Sequence, residues 1–150
     1  MLLWDGGCHV HERFSVEGIK QLKQQHPNAK VLVHPECREE VAEIADKVGS
    51  TAALLKYSIN DDANEFIVVT EVGILHEMQK SAPQKTFIPA PAEDIESGCN
   101  ECNYMKLITM RKLYNCIKHE WPTIEVDSEI AEKAVRPINR MLEISKQLGL

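Results

Sequence analysis

Cysteines in polar or glycine-rich stretches are the residues of this 150-residue chain that most strongly indicate chemistry. Cys8 follows a Gly-Gly pair and precedes a His-x-His sequence, and Cys99 and Cys102 form a Cys-x-x-Cys pair. Because soft metals prefer thiolate and imidazole ligands, the pattern favours a metal or cluster site. The alternatives are a redox dithiol or unrelated loop cysteines for the pair, and an ordinary buried cysteine for Cys8.

Histidines and carboxylates near these cysteines could bind a substrate or transfer protons. His34-Pro35-Glu36 is the sharpest candidate, because the proline stiffens the turn and holds an imidazole and a carboxylate in fixed relative positions. The competing interpretation is a helix start in which Glu36 only complements the helix dipole. His9 and His11 are candidate ligands or acid–base groups, or else residues of a solvated loop, and Glu12 is assigned a structural role.

A third candidate is the turn Gly49-Ser50-Thr51, which precedes a predicted helix. Its hydroxyls and the free backbone N–H groups of the helix could hold a phosphate or a carboxylate. A plain N-cap is the alternative. Four other residues are predicted to be structural: Cys37 and Cys116 as packing residues, and Trp4 and Trp121 as core residues.

Composition limits the possible partners. Seventeen basic and twenty-three acidic residues give a net charge of -6, without a basic stripe, so nucleic acid is excluded as a partner. The apolar runs are too short to span a bilayer and no export signal is present, which predicts a cytoplasmic protein with reduced cysteines and no membrane partner. A predicted core strand at the second residue suggests that the chain starts in the middle of a larger protein.

Short strands alternate with helices along the first half of the chain. The predicted strands are Leu2–Trp4, Lys30–Val33, Phe66–Val69 and Thr86–Ile88. One predicted helix follows the Ser15 N-cap, and a second spans Val41 to Val48 with Gly49 as its C-cap. A third begins at Ser50 and Thr51, and a fourth runs from a Thr70 cap to about Lys80. This order predicts an α/β fold, a short parallel sheet flanked by helices, with functional groups at the carboxyl ends of the strands.

The second half of the chain is predicted to be mostly helical. We assign residues 1–92 to an α/β domain and residues 93–150 to a cysteine-bearing loop and a carboxyl-terminal helical segment. That segment should contain a helix from Met105 to Lys118 and a last helix, capped by Asp127 or Ser128, that Pro137 kinks or interrupts.

Five segments, in order, resemble the carboxyl-terminal half of the quinolinate synthase (quinolinate synthetase A) family: Trp4–Glu12, Val33–Cys37, Ala45–Thr51, Thr70–Gly73 and Cys99–Met105. The resemblance implies an enzyme of NAD biosynthesis that condenses iminoaspartate with dihydroxyacetone phosphate to form quinolinate. It also implies one of three similar α/β domains around a [4Fe–4S] cluster. Three cysteines bind that cluster, one from each domain, and its open iron acts as a Lewis acid.

Carried over to this sequence, the resemblance makes Cys8 and Cys102 metal ligands. It makes His34 and Glu36 the catalytic acid–base and substrate-binding pair, and Ser50 and Thr51 substrate-binding hydroxyls. Thr70 and Glu71 match a family turn to which we assign no role.

The resemblance also predicts what this chain needs from outside. The third cysteine ligand and several substrate contacts belong to an amino-terminal half that we expect as a partner, so the 150-residue chain alone should be inactive. Cys99 is an additional cysteine that could substitute as a ligand, form a disulfide with Cys102 or have no role. The competing functions are a non-catalytic α/β zinc-binding module that uses Cys8, Cys99 and Cys102, and a thiol redox domain.

Overall fold

The computed structural model describes residues 6–93 and 100–149. It divides into two compact units, Met1–Leu107 and Ile108–Leu150. The predicted strand Leu2–Trp4, with the core residue Trp4, and the cysteine Cys99 lie outside the described residues.

A four-stranded parallel sheet forms the centre of the first unit, which confirms the predicted fold class. Its strands are β1 (Lys30–Val33), β2 (Lys47–Val48), β3 (Glu65–Val69) and β4 (Thr86–Pro89), arranged in the order β2-β1-β3-β4. β1 and β3 form the centre of the sheet, with Val31 opposite Ile67 and Val33 opposite Val69. Strands covered on both faces are almost continuously apolar, which explains why these short runs were recognisable in the sequence.

Helices cover both faces of this sheet. They are α1 (Val16–Gln25), α2 (Glu39–Ala42), α3 (Thr51–Asn60) and α4 (Ile74–Ser81). On one face, Ile19 of α1 packs in a core cluster that includes Val31, Val33, Ile67 and Val69. On the other face, Leu54 of α3 and Met78 of α4 pack with Leu32, Phe66 and Val68. Alternate strand residues therefore serve opposite cores, as the pleat requires.

Two sequence predictions in this unit are wrong. The helix expected to run from Val41 to Val48 ends at Ala42, and Lys47–Val48 forms the edge strand β2. The Asp46 carboxylate accepts a hydrogen bond from the backbone N–H of Val31 (2.7 Å), and the N–H of Asp46 donates to the carbonyl of Val31 (2.9 Å). Pairing with β1 overrides the local helical periodicity. Thr70 does not cap α4, which begins at Ile74 after Gly73.

The second unit contains two helices, α5 (Met110–His119) and α6 (Ser128–Leu148). Asp127 caps α6 as predicted, but α6 passes through Pro137 without interruption, and α5 begins later than predicted because Met105–Leu107 is a separate 3₁₀ turn.

No residue described between 108 and 149 is buried. The core prediction for Trp121 and the packing prediction for Cys116 are therefore wrong in this chain: Trp121 is 70% exposed and Cys116 is exposed. The cause is that the second unit has no buried interior of its own. In the first unit, Cys37 is buried as predicted. Of the helices that the structure describes, none is long and apolar enough to cross a membrane.

Candidate functional site

The carboxyl ends of the four strands meet at one edge of the sheet. At this edge, the residue that directly follows one strand is hydrogen-bonded through its backbone N–H to a carbonyl of the adjacent strand. Gly49 donates to Val33 (3.1 Å), His34 donates to Val69 (3.1 Å), and Ala90 donates to Val68 (3.0 Å). This edge therefore collects the turns that carry His34, Glu36, Ser50, Thr51, Thr70 and Glu71.

Cys8 reaches this edge because the turn that follows it is anchored in the core. Val10 and Phe14 are buried in the hydrophobic core cluster that contains Ile19 of α1, and the partly buried Cys8 packs against the same cluster. The backbone of Ser15 donates to Pro91 (3.2 Å), and that of Glu93 donates to Arg13 (2.7 Å). A shallow pocket lined by Gly6, Gly7, Cys8 and Glu36 opens beside the thiol.

His11 lies at the centre of the polar groups. Its Nδ1 is 2.9 Å from the Glu36 Oε2 atom, and its Nε2 is 2.9 Å from the Thr70 hydroxyl. The ring stacks on His34, with centroids 4.2 Å apart and an interplanar angle of 8°. The donor atoms of Cys8, His11 and Glu36 all lie within 4.8 Å of one another. A thiol, an imidazole and a carboxylate at this spacing form a donor set suited to a borderline or soft metal.

The surroundings of His34 favour the neutral form of its imidazole ring. Burial lowers the pKa of His34 below its ordinary value, the neighbouring His11 lowers it further, and Glu36 opposes both effects. The Nδ1 atom of His34 accepts a hydrogen bond from the backbone N–H of Glu36 (3.3 Å). The neutral ring therefore carries its proton on Nε2, where it can donate to a bound molecule.

Cys102 is brought to the same edge by the turn after β3. The Glu71 carboxylate accepts hydrogen bonds from the backbone N–H groups of Gly73 (2.7 Å) and Cys102 (3.3 Å). The carbonyl of the buried Asn100 accepts from the N–H of Val72 (3.1 Å), and the Asn100 side chain donates to the carbonyl of Ala90. Glu71 and Asn100 thereby fasten the Cys102 loop to the ends of β3 and β4.

The segments of Cys8 and Cys102 are neighbours. His9 and Tyr104 make an edge-to-face ring contact with centroids 5.3 Å apart. Both cysteines are free thiols, and both pack, partly buried, against one core cluster. The Nε2 atom of His9 is buried and has no hydrogen-bond partner among the residues that the structure describes.

Ser50 and Thr51 lie at the adjacent strand end. Ser50 is the N-cap of α3, and its hydroxyl accepts a hydrogen bond from the backbone N–H of Ala53 (3.3 Å). Both residues are exposed. Ser50 is thus an N-cap, which is the alternative to an anion-binding role. The exposed start of α3 also leaves room for an anionic group beside it.

Sequence reasoning underrated three residues of this edge. His11 was one of two equivalent histidines, and only its burial and its contacts with Glu36 and Thr70 distinguish it from His9. Thr70 and Glu71 had a signal, since they directly follow a predicted strand, but their partners lie in distant segments of the chain.

A parallel α/β unit with thiol, imidazole and carboxylate groups at the carboxyl edge of its sheet has the architecture of enzymes that bind small molecules or metals. Residues 1–143 match the family model described as quinolinate synthetase A protein. The chain belongs to this family, as its sequence motifs predicted.

Curated relatives agree with this assignment. The chain is 53% identical over 145 residues to the quinolinate synthase of Thermosynechococcus vestitus, covering 97% of this chain and 46% of that protein. It is 50% identical to the quinolinate synthase of a Synechococcus strain and 51% identical to that of Chloroherpeton thalassium, with 97% of this chain and 45% of each relative covered. The chain thus spans less than half the length of these relatives.

Proposed function

We propose that this chain is the carboxyl-terminal part of a quinolinate synthase, which condenses iminoaspartate with dihydroxyacetone phosphate to form quinolinate in NAD biosynthesis. The observation that carries the proposal is that two free thiols, Cys8 and Cys102, are held at the same edge of the sheet that carries His34 and Glu36. The family match along nearly the whole chain supports it. Because the substrates are small soluble metabolites, we place the parent enzyme in the cytoplasm.

The residues at this edge fit the [4Fe–4S] cluster that the family resemblance implies. Cys8 and Cys102 are free, partly buried thiols that pack against the same group of hydrophobic core residues. The nearby His9 has a buried ring nitrogen without a hydrogen-bond partner among the described residues. We assign Cys8 and Cys102 as two of the ligands of the [4Fe–4S] cluster, with the third cysteine coming from outside this chain. When bound, the cluster supplies an iron with an open coordination position, which acts as a Lewis acid.

His34 and Glu36 are the proposed catalytic and substrate-binding pair. The neutral His34 ring donates from Nε2 to a substrate carbonyl or carboxylate. His11 occupies Oε2 of Glu36, and among the described residues Oε1 has no hydrogen-bond partner, so we propose that Oε1 accepts and returns a proton. Ser50 and Thr51, at the exposed start of α3, are proposed to bind an anionic group of the substrate through a hydroxyl and the backbone N–H groups.

The exposed apolar residues of α5 and α6 support the proposal that this chain requires the rest of a parent enzyme. Their large apolar residues are exposed, for example Met110 (80%) and Leu142 (57%). Exposed apolar surface of this kind marks an interaction site. We propose that it packs against amino-terminal domains of the parent, and that the 150-residue chain alone is inactive.

A chimera tests the proposed function. This chain replaces the matched segment of the Thermosynechococcus vestitus enzyme, and quinolinate formation is measured without oxygen. We expect the chimera to form quinolinate and the chain alone to form none. Glu36→Gln should lower the rate about 100-fold or more, since a carboxamide cannot exchange a proton. Glu39→Gln, at an exposed position of α2, is the matched control and should keep the rate of the unmodified chimera.

Two results would contradict the proposal. A folded, cluster-bearing chimera that makes no quinolinate would refute the assignment of the reaction to this chain. Equal rates for Glu36→Gln and Glu39→Gln would remove Glu36 from the catalytic pair.

A further inference from the structure

His9 and Tyr104 bring the two proposed ligand segments into contact with each other. His9 directly follows Cys8, and Tyr104 lies shortly after Cys102, so the contact joins segments that are far apart in the chain. The ring centroids are 5.3 Å apart and the rings are nearly perpendicular, at 88°. Aromatic rings favour this edge-to-face arrangement, because the positive edge of one ring meets the negative face of the other. Neither ring has a role in the reaction as proposed above.

The fold fixes the backbone on the His9 side of this contact. The N–H of Glu12 donates to the carbonyl of Cys8 (3.0 Å), and Val10, the residue after His9, is buried in the core cluster. The Nε2 atom of His9 is buried and has no hydrogen-bond partner among the residues that the structure describes. Because no described residue bonds to this atom, the position of the ring depends on packing. Tyr104 supplies an aromatic ring for that packing.

Cys102 is held on one side by Glu71 and on the other side by the turn that carries Tyr104. The N–H of Cys102 donates to the Glu71 carboxylate (3.3 Å), and its carbonyl accepts from the N–H of Lys106 (3.0 Å). Tyr104 lies inside this turn and is 72% exposed. The tyrosine therefore has little packing on the core, which gives its contact with His9 weight in placing the turn.

The two segments are not packed tightly against each other along their whole length. A cavity of about 150 Å³ lies between them, lined in part by His9 and Val10 of one segment and by Asn100, Glu101 and Asn103 of the other. Atoms that face open space have no dispersion attraction to a partner on that side. The ring contact is therefore a large part of what can hold the Cys8 segment against the Cys102 segment.

We propose that the ring contact between His9 and Tyr104 positions the two ligand segments, holding them side by side whether or not a cluster is bound. The thiols of Cys8 and Cys102 are then presented as a pair, so that a metal centre does not have to order the second segment itself. The consequence for the cluster rests on the proposed function. The contact itself can be tested in the 150-residue chain without iron.

Four single variants test the ring contact. His9→Leu and Tyr104→Leu each remove one aromatic ring, whereas His9→Phe and Tyr104→Phe keep an edge-to-face pair. His9→Phe should be tolerated, because the Nε2 atom that it removes has no described partner. His76→Leu on α4 and Tyr114→Leu on α5 are the matched controls, since both residues are exposed. Thermal unfolding shows whether each variant is folded.

The first measurement is the rate at which Cys102 reacts with a thiol-alkylating reagent in the iron-free chain, relative to the exposed Cys116, followed by mass spectrometry. We expect this rate to rise about 2- to 10-fold in His9→Leu and in Tyr104→Leu, since loss of the aromatic pair lets the segment open. The phenylalanine variants and the controls should keep the unmodified rate. The double variant with both leucines should react no faster than the faster single variant, because both changes break the same contact.

Three results of this measurement would overturn the proposal. They are an unchanged rate in both leucine variants, effects that multiply in the double variant, and a raised rate in a folded phenylalanine variant. The last result decides the matter even if a leucine variant does not fold.

The second measurement is the loss of the cluster from the oxygen-free chimera in the presence of an iron chelator, followed by visible absorbance. We expect the loss to be about 2- to 10-fold faster in His9→Leu and Tyr104→Leu than in the unmodified chimera, and unchanged in the two phenylalanine variants. Equal rates in all of these proteins would overturn the proposal. An unmodified chimera that holds no cluster would count against the proposed function, and the alkylation rates would then decide whether the ring contact positions the two segments.

Discussion

The imidazole rings of His11 and His34 lie parallel to each other, 4.2 Å apart, although one residue follows Cys8 and the other follows β1. Two stacked imidazoles cannot both carry a positive charge without repulsion. Burial already lowers the pKa of His34, and His11 lowers it further. The pair thus favours a neutral His34 at the sheet edge, next to the Glu36 carboxylate.

Titration of His34 by NMR should show this directly. We expect a pKa below the ordinary histidine value, and His11→Asn should raise the pKa of His34 because it removes the neighbouring imidazole. The fold favours the neutral form, so His34 stabilises the native state above the pKa of the unfolded chain. That stability is lost as the pH falls through the lower, native pKa. A pKa of His34 above that of the exposed His76 would contradict this prediction.

The Lys30–Asp61 pair should control the acid stability of the first unit. Their charged atoms are 2.6 Å apart, and the hydrogen bond from Lys30 lowers the pKa of Asp61 to about 2. The pair should stabilise the fold above the ordinary aspartate pKa and lose this effect as the pH falls toward about 2. Urea unfolding at about pH 5 and about pH 3 should show a smaller loss of stability in Asp61→Asn than in the unmodified chain. Equal pH dependence in the two proteins would refute this, and the exposed Asp62→Asn is the control.

Glu71 should hold the Cys102 loop in place. The Glu71 side chain is 13% exposed, and its carboxylate accepts hydrogen bonds from the backbone N–H groups of both Gly73 and Cys102. Glu71→Ala leaves these N–H groups without their partner, so we expect a loss of about 1–3 kcal/mol in the free energy of unfolding. Cys102 should also react faster with a thiol-alkylating reagent, measured against the exposed Cys116 by mass spectrometry. Unchanged reactivity of Cys102 would show that Glu71 does not restrain the loop. Glu77→Ala, on the exposed side of α4, serves for comparison.

Lys85 should stabilise the end of α3. This buried lysine donates to the carbonyls of Ser58 (2.8 Å) and Asp61, and its charge lies 5.4 Å from the ring centroid of Phe66. Cations at the carboxyl end of a helix satisfy free carbonyls and complement the helix dipole. Lys85→Met should therefore lower the free energy of unfolding by about 1.5–3 kcal/mol. The exposed Lys80→Met should change it little, and equal stability of the two variants would contradict this role.

Much of the fold was predictable, because β1, β3 and β4 contain short apolar runs that mark them as strands in the local sequence. β2 was not, because only its pairing with β1 makes Lys47–Val48 a strand. The same distinction applies to the site. His34 and Glu36 are candidates from a local motif at a strand end, whereas the contacts that distinguish His11 depend on Thr70, which lies far along the chain.

The proposal depends most directly on Cys8 and Cys102 binding the same iron–sulfur cluster. The decisive measurement is the iron content and visible absorbance of the chimera, purified without oxygen, for the unmodified protein and for Cys8→Ser, Cys102→Ser and the exposed Cys116→Ser control. We predict that Cys8→Ser and Cys102→Ser each lose the cluster absorbance and most of the iron, while Cys116→Ser keeps both. Full iron content and absorbance in either Cys8→Ser or Cys102→Ser would contradict the proposal.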